Sequence, residues 1–197
     1  MKKIFCLLLA LMMTISANAQ CVNAETDTTT YIGVEFYPDA PLFIYGGGNL
    51  SDNIKFDLFS NFGSEMAITV GPIIGPFAIG VGASMGMIDD KNDVSYLNAD
   101  LAFKFKLKGL TWKTYTLYRL SLDDSVENKL ISRQWLTPSK ANYGLIGDNT
   151  WVRGKTPILF WGPYYDFGKF GLTSANKFGM MFNIIGPGIW SVWIVEF

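Results

Sequence analysis

The sequence predicts an all-β fold: a closed, antiparallel, up-and-down β-barrel that crosses a membrane on about ten strands, with eight to twelve compatible with the pattern. Three observations predict it. The chain opens on an export signal, and it is too apolar and too sparsely charged for an ordinary water-facing domain. Its apolar residues recur with period two rather than 3.6.

The export signal occupies residues 1–19. Lys2 and Lys3 form a positive start, Ile4 to Met13 an apolar run, and Ala17-Asn18-Ala19 a small-residue cleavage site. The apolar run falls short of the roughly 20 residues that a spanning helix needs. The expected division is therefore a cleaved signal over 1–19, a polar lead-in over 20–29 and a barrel over 30–197. Cys6 leaves with the signal, so Cys21 stands alone and no internal disulfide is expected. Cys21 also invites a lipid-anchor reading, but Gln20 before it is not the small residue such a signal carries.

Apolar residues make up 49% of the 197-residue chain and charged residues 17%, where soluble domains average about 25% charged. After the signal no apolar run is long enough for a transmembrane helix, which leaves strands as the means of crossing. The net charge of -1 offers no basic footprint, so nucleic acid is not an expected partner.

The alternation is plainest from Val94 to Leu107. Leu97, Ala99, Leu101, Phe103, Phe105 and Leu107 fall on one face; Tyr96, Asn98, Asp100, Ala102, Lys104 and Lys106 fall on the other. From Pro76 to Met87, large apolar residues alternate with Ala78, Gly80, Gly82, Ser84 and Gly86, which suit a crowded interior. Ile32, Val34 and Phe36 alternate with Gly33 and Glu35; Ile54, Phe56 and Leu58 with Lys55 and Asp57; Met66, Ile68 and Val70 with Ala67, Thr69 and Gly71. Ten segments follow: 30–37, 54–62, 64–73, 76–87, 94–107, 110–122, 128–137, 156–166, 176–185 and 189–197. Lys108-Gly109 and Gly186-Pro187-Gly188 read as turns. Residues 38–53 and 137–155 read either as long surface loops, where a partner would dock, or as further short strands around Leu42–Tyr45 and Tyr143–Ile146.

The chain has no histidine, which excludes a Ser-His-Asp triad, histidine-ligated zinc and histidine-dependent remodelling of lipid acyl chains. No catalytic, cofactor-binding or metal-ligating residue is expected, and the protein is not expected to be an enzyme. Gly80-Val81-Gly82 with Gly86 lacks the spacing of a phosphate loop. Asp89, Asp90 and Asp93, like Asp123, Asp124 and Glu127, read as polar turns rather than calcium loops. The charged residues of the strands should point inward, because Lys or Arg facing lipid at mid-depth costs about 2–4 kcal/mol. This luminal polar network comprises Glu35, Lys55, Asp57, Asp100, Lys104, Lys106, Lys113 and Arg119, with Arg133 as a further candidate. Trp112, Tyr118, Trp151, Trp161, Tyr165, Trp193 and other aromatics could serve either as boundary anchors or as packing.

The C-terminal residues carry a resemblance. Counting back in twos from Phe197 gives Val195, Trp193, Ser191 and Ile189. A terminal aromatic with apolar residues at alternate positions resembles the last strand of bacterial outer-membrane β-barrels; Ser191 is the departure. The resemblance implies residence in the outer membrane of a Gram-negative envelope, contact with its lipid, and recognition of Ile189, Trp193, Val195 and Phe197 by the barrel-assembly machinery. Trp190, Val192 and Ile194 would then point into the lumen. The expected role is structural or surface-interacting, with a lumen filled by side chains and a loop partner left open. The alternatives are a narrow, porin-like channel for small solutes or ions, a lipid-modifying enzyme, and a soluble periplasmic lipid-binding barrel.

Overall fold

The computed structural model describes residues 31–36, 42–61, 65–88, 92–172 and 174–196. The expected signal (1–19) and lead-in (20–29), with Asp89, Asp90 and Phe197, lie outside the described residues.

Among the described residues twelve strands run in chain order: β1 (Tyr31–Phe36), β2 (Phe43–Ser51), β3 (Ile54–Asn61), β4 (Glu65–Ile74), β5 (Phe77–Ile88), β6 (Asn92–Leu107), β7 (Leu110–Ser121), β8 (Lys129–Pro138), β9 (Tyr143–Val152), β10 (Ile158–Asp166), β11 (Ala175–Asn183) and β12 (Ile189–Glu196). Each pairs antiparallel with its neighbours in sequence, and β1 closes on β12. The barrel therefore leaves no open edge. The strand number exceeds the ten expected because both doubtful segments are strands. Residues 38–53 and 137–155 are not long loops: β2 and β9 run through them.

Two-residue turns occur where the sequence placed one. Lys108 and Gly109 both have positive φ, 37° and 87°, the twist a tight hairpin between long strands requires. Connections after even-numbered strands lie at the end where β1 starts and β12 finishes, here called the termini end. Connections after odd-numbered strands lie at the opposite end.

Register fixes the faces. Ile79, Val81 and Met85 on β5, Leu97 and Leu101 on β6, and Ile68 and Val70 on β4 share the outward face. Phe103 and Phe105 share it too, yet are only 6% and 5% exposed. Their cover comes from each other and from outward Phe77 and Trp112, with ring centroids 4.9–6.1 Å apart. On β7 and β8 the outward hydroxyls bond locally: Thr114 Oγ1 donates to the Arg133 carbonyl and Thr116 pairs with Ser132, each at 3.0 Å.

The inward face divides in two. Toward β9–β12, Ile146, Tyr164, Met181, Val192 and Ile194 form an apolar core, flanked by Phe43, Tyr45, Trp135, Phe160 and Trp190. The inward set Trp190, Val192 and Ile194 read from the sequence is thus part of a solid plug. Met181 is 0% exposed, so Met181→Ala should destabilise the barrel by about 2–5 kcal/mol, the usual loss for truncating a buried methionine. A urea midpoint followed by tryptophan emission checks this.

Candidate functional site

Toward β2–β8 the interior is charged and hollow. A cavity of about 820 Å³ is lined by Glu35, Lys55, Asp57, Lys104, Lys113, Arg119, Arg133, Asp148 and Glu196, among others. Pro76 and Ser174 from termini-end connections also line it, while among the described residues no connection of the opposite end does. The cavity is a vestibule that reaches the termini end.

Arg133 is the strut of this interior. On β8 it pairs with Glu35 of β1, which lies across the lumen, and its Nη2 sits 2.5 Å from Asp148 Oδ2 on neighbouring β9. Period two puts Arg133 and Asp148 on the same face, and the β8–β9 register sets them directly opposite. Cross-strand pairs of opposite charge stabilise a ladder, and here the arginine also reaches the far wall. Nearer the opposite end, Arg119 Nη1 of β7 lies 2.6 Å from Glu65 Oε1 of β4, with its guanidinium over the Phe59 and Tyr96 rings at 5.9 and 6.0 Å. Both contacts bridge non-adjacent strands and shorten the free path along the axis.

Lys55 pairs with Asp57 and sits 3.3 Å from Asp100 Oδ1, whose side chain is fully shielded. Glycine makes room for that carboxylate. Gly80 stands opposite Asp100, and a Cβ there would fall inside contact distance of its oxygens. At the termini end Lys177 Nζ lies 2.9 Å from Glu196 Oε2, and Tyr45 donates to Glu196 Oε1 at 3.4 Å.

All eight residues of the expected polar network take the inward register. Glu35, Lys55, Asp57, Lys104, Lys113 and Arg119 line the vestibule, and Asp100 joins through Lys55. Lys106 is not brought together with them; it sits exposed beside the 108–109 turn. Arg133, the further candidate, is central.

No family model, no curated protein and no solved structure matches this chain. The site is therefore read from its own chemistry.

Four charged partners escaped the sequence reading: Glu65, Asp148, Lys177 and Glu196. Parity could have found three of them. Glu65 alternates with Ala67, Lys177 with Gly179, and Glu196 with Ile194, all inside segments recognised as strands. Asp148 lay hidden in the irregular stretch that is β9. Among the acidic turns, Asp123 accepts from the Ser125 amide at 2.8 Å and its hydroxyl at 2.6 Å. Those bonds hold its carboxyl below the usual carboxylate range and make it a turn former. Of the residues that carry the C-terminal resemblance, Ile189, Trp193 and Val195 take the outward register of β12.

Proposed function

We propose that this chain is an exported barrel of the Gram-negative outer membrane, non-enzymatic and structural, whose lumen is shut by its own side chains. One observation carries the reading: charge is segregated by face. Apart from Asp93, beside the connection after β5, every Asp, Glu, Lys and Arg of the twelve strands takes the inward register. The outward face exposes Met66, Val81, Met85, Ile189 and many other large apolar side chains. A water-facing barrel gains nothing from that division, whereas hydrocarbon demands it.

Two further features support the reading. Outward aromatics lie toward both ends: Phe77, Phe103, Phe105, Trp112, Tyr165, Phe167, Phe178 and Trp193 toward the termini end, and Tyr118 and Phe182 toward the other. Such girdles mark a lipid–water boundary. The apolar plug, the lumen-crossing Arg133–Glu35 pair and the Arg119–Glu65 bridge favour a closed interior.

Alternate labelling tests the placement. Single cysteines at 97, 99 and 101, in a background lacking Cys6 and Cys21, should resist a water-soluble maleimide in intact envelopes and react after unfolding. Rapid labelling at all three in folded protein would sink the membrane reading. The vestibule favours one second reading, a narrow solute channel. Planar-bilayer recording decides it: the closed barrel gives no steady conductance steps, and a reproducible step would make the channel the better description.

A further inference from the structure

Phe170 and Leu172 are the most exposed large apolar side chains among the described residues, at 81% and 93%. Both lie outside the strands, in the connection after β10 at the termini end. The alternation that turns apolar residues outward along a strand therefore does not account for them. With exposed Phe167 they put three apolar side chains on one short connection, and Lys169 is exposed between the two phenylalanines. Apolar groups gathered in this way mark a contact surface. The connection is held at its base. Asp166 Oδ1 accepts from the Gly168 amide at 2.8 Å, the Phe167 amide donates to the Asn176 carbonyl at 2.7 Å, and Asn176 Nδ2 donates to the Gly168 carbonyl at 2.9 Å. Gly168 and Gly171, with φ of 75° and 60°, turn the chain where a side chain would strain it. Phe167 also ties the connection to the outward face: its ring centre lies 4.9 Å from that of Tyr165 and it stacks on Trp193 at 6.2 Å.

We propose that this connection is an interfacial anchor. Phe170 and Leu172 enter the lipid leaflet at the termini end, and the Lys169 ammonium meets the phosphates of its head groups. The anchor rests on the membrane placement proposed above and adds to it a lipid contact made outside the strands. Lipid is the occupant that the surroundings favour. The connection continues the outward face from Trp193 through Phe167. A cation flanked by apolar groups suits the edge of a leaflet, where the apolar side chains sink and the ammonium stays at head-group level.

The test uses the full chain, in a background lacking Cys6 and Cys21, refolded into vesicles of phosphatidylcholine and phosphatidylglycerol. A nitrobenzoxadiazole label on Leu172→Cys should be quenched by a nitroxide carried just below the lipid head group. The effect should be several-fold larger than for the same label on Ser139→Cys, in the polar connection after β8 at the same end. Phe170→Ser should lower quenching at the 172 site to the level at the 139 site. A label on Val81→Cys, read with a nitroxide deep in the acyl chains, reports the membrane placement separately. Quenching at the 81 site, with none above the 139 level at the 172 site, overturns the anchor, leaves the spanning barrel standing and turns the search to a protein partner. Quenching at neither site overturns both. Quenching at the 172 site alone supports the lipid contact and sinks the spanning barrel. A signal unchanged by Phe170→Ser overturns the insertion of Phe170.

Discussion

Replacing Arg133 with glutamine is expected to lower the unfolding free energy by about 3–5 kcal/mol, the range found when one partner of a buried ion pair is removed. Glu35 and Asp148 are both buried, and one guanidinium serves both. Its loss leaves two carboxylates facing each other's side of the lumen without the cation between them. The triple change Glu35→Gln, Arg133→Met, Asp148→Asn should recover most of that loss, because a neutral set carries no desolvation penalty. Urea unfolding followed by tryptophan emission measures all three states. A single variant as stable as wild type would show that Arg133 is not the strut described. The same variant should also show conductance steps that the wild-type barrel lacks, since the contact it removes spans the lumen.

The second large effect tests the solvent outside the barrel. Val81 lies near the middle of β5, outward-facing and 67% exposed. In hydrocarbon, Val81→Arg should cost about 2–4 kcal/mol at mid-depth, whereas on a water-facing surface such a change stays within about 0.5 kcal/mol. Leu107, also outward but beside the 108–109 turn, should lose only about 0–1 kcal/mol on the same substitution, because the penalty fades near the interface. The measurement is refolding into lipid vesicles across a urea series. A flat profile, with both sites near zero, would remove the lipid and leave a water-soluble barrel.

Much of this architecture is legible in the alternation of the chain, and the failures have a common cause. The segment 94–107 is nearly all of β6, and 110–122 covers all of β7, because each carries large residues on one face and charges on the other. β2 hides because Gly46, Gly47 and Gly48 have no side chains with which to display a period. β9 hides because each face mixes polar and apolar residues: Asp148 faces inward to meet Arg133 beside Ile146, while Gly147 and Asn149 face outward between Leu145 and Trp151. Trp161 explains part of that departure, since its indole lies over Gly147 where a Cβ would clash. Partner choice is less legible than facing. Parity assigns Arg133 and Glu35 to the lumen, but their meeting depends on which strands end up across from each other, and that follows from the strand count. With ten strands the opposite wall would have been a different one.

The ring is also uneven around its circumference. β5 and β6 are zipped along nearly their whole length, from Phe77 opposite Phe103 to Ile88 opposite Asn92, whereas among the described residues six-residue β1 meets β12 over Gly33–Phe36. Among the described residues the hoop is thus laced more lightly at its own join, where first and last strands come together, than along β5 and β6. Force-driven opening is expected to begin along this join, and a side exit from the vestibule into the surroundings would lie between β1 and β12.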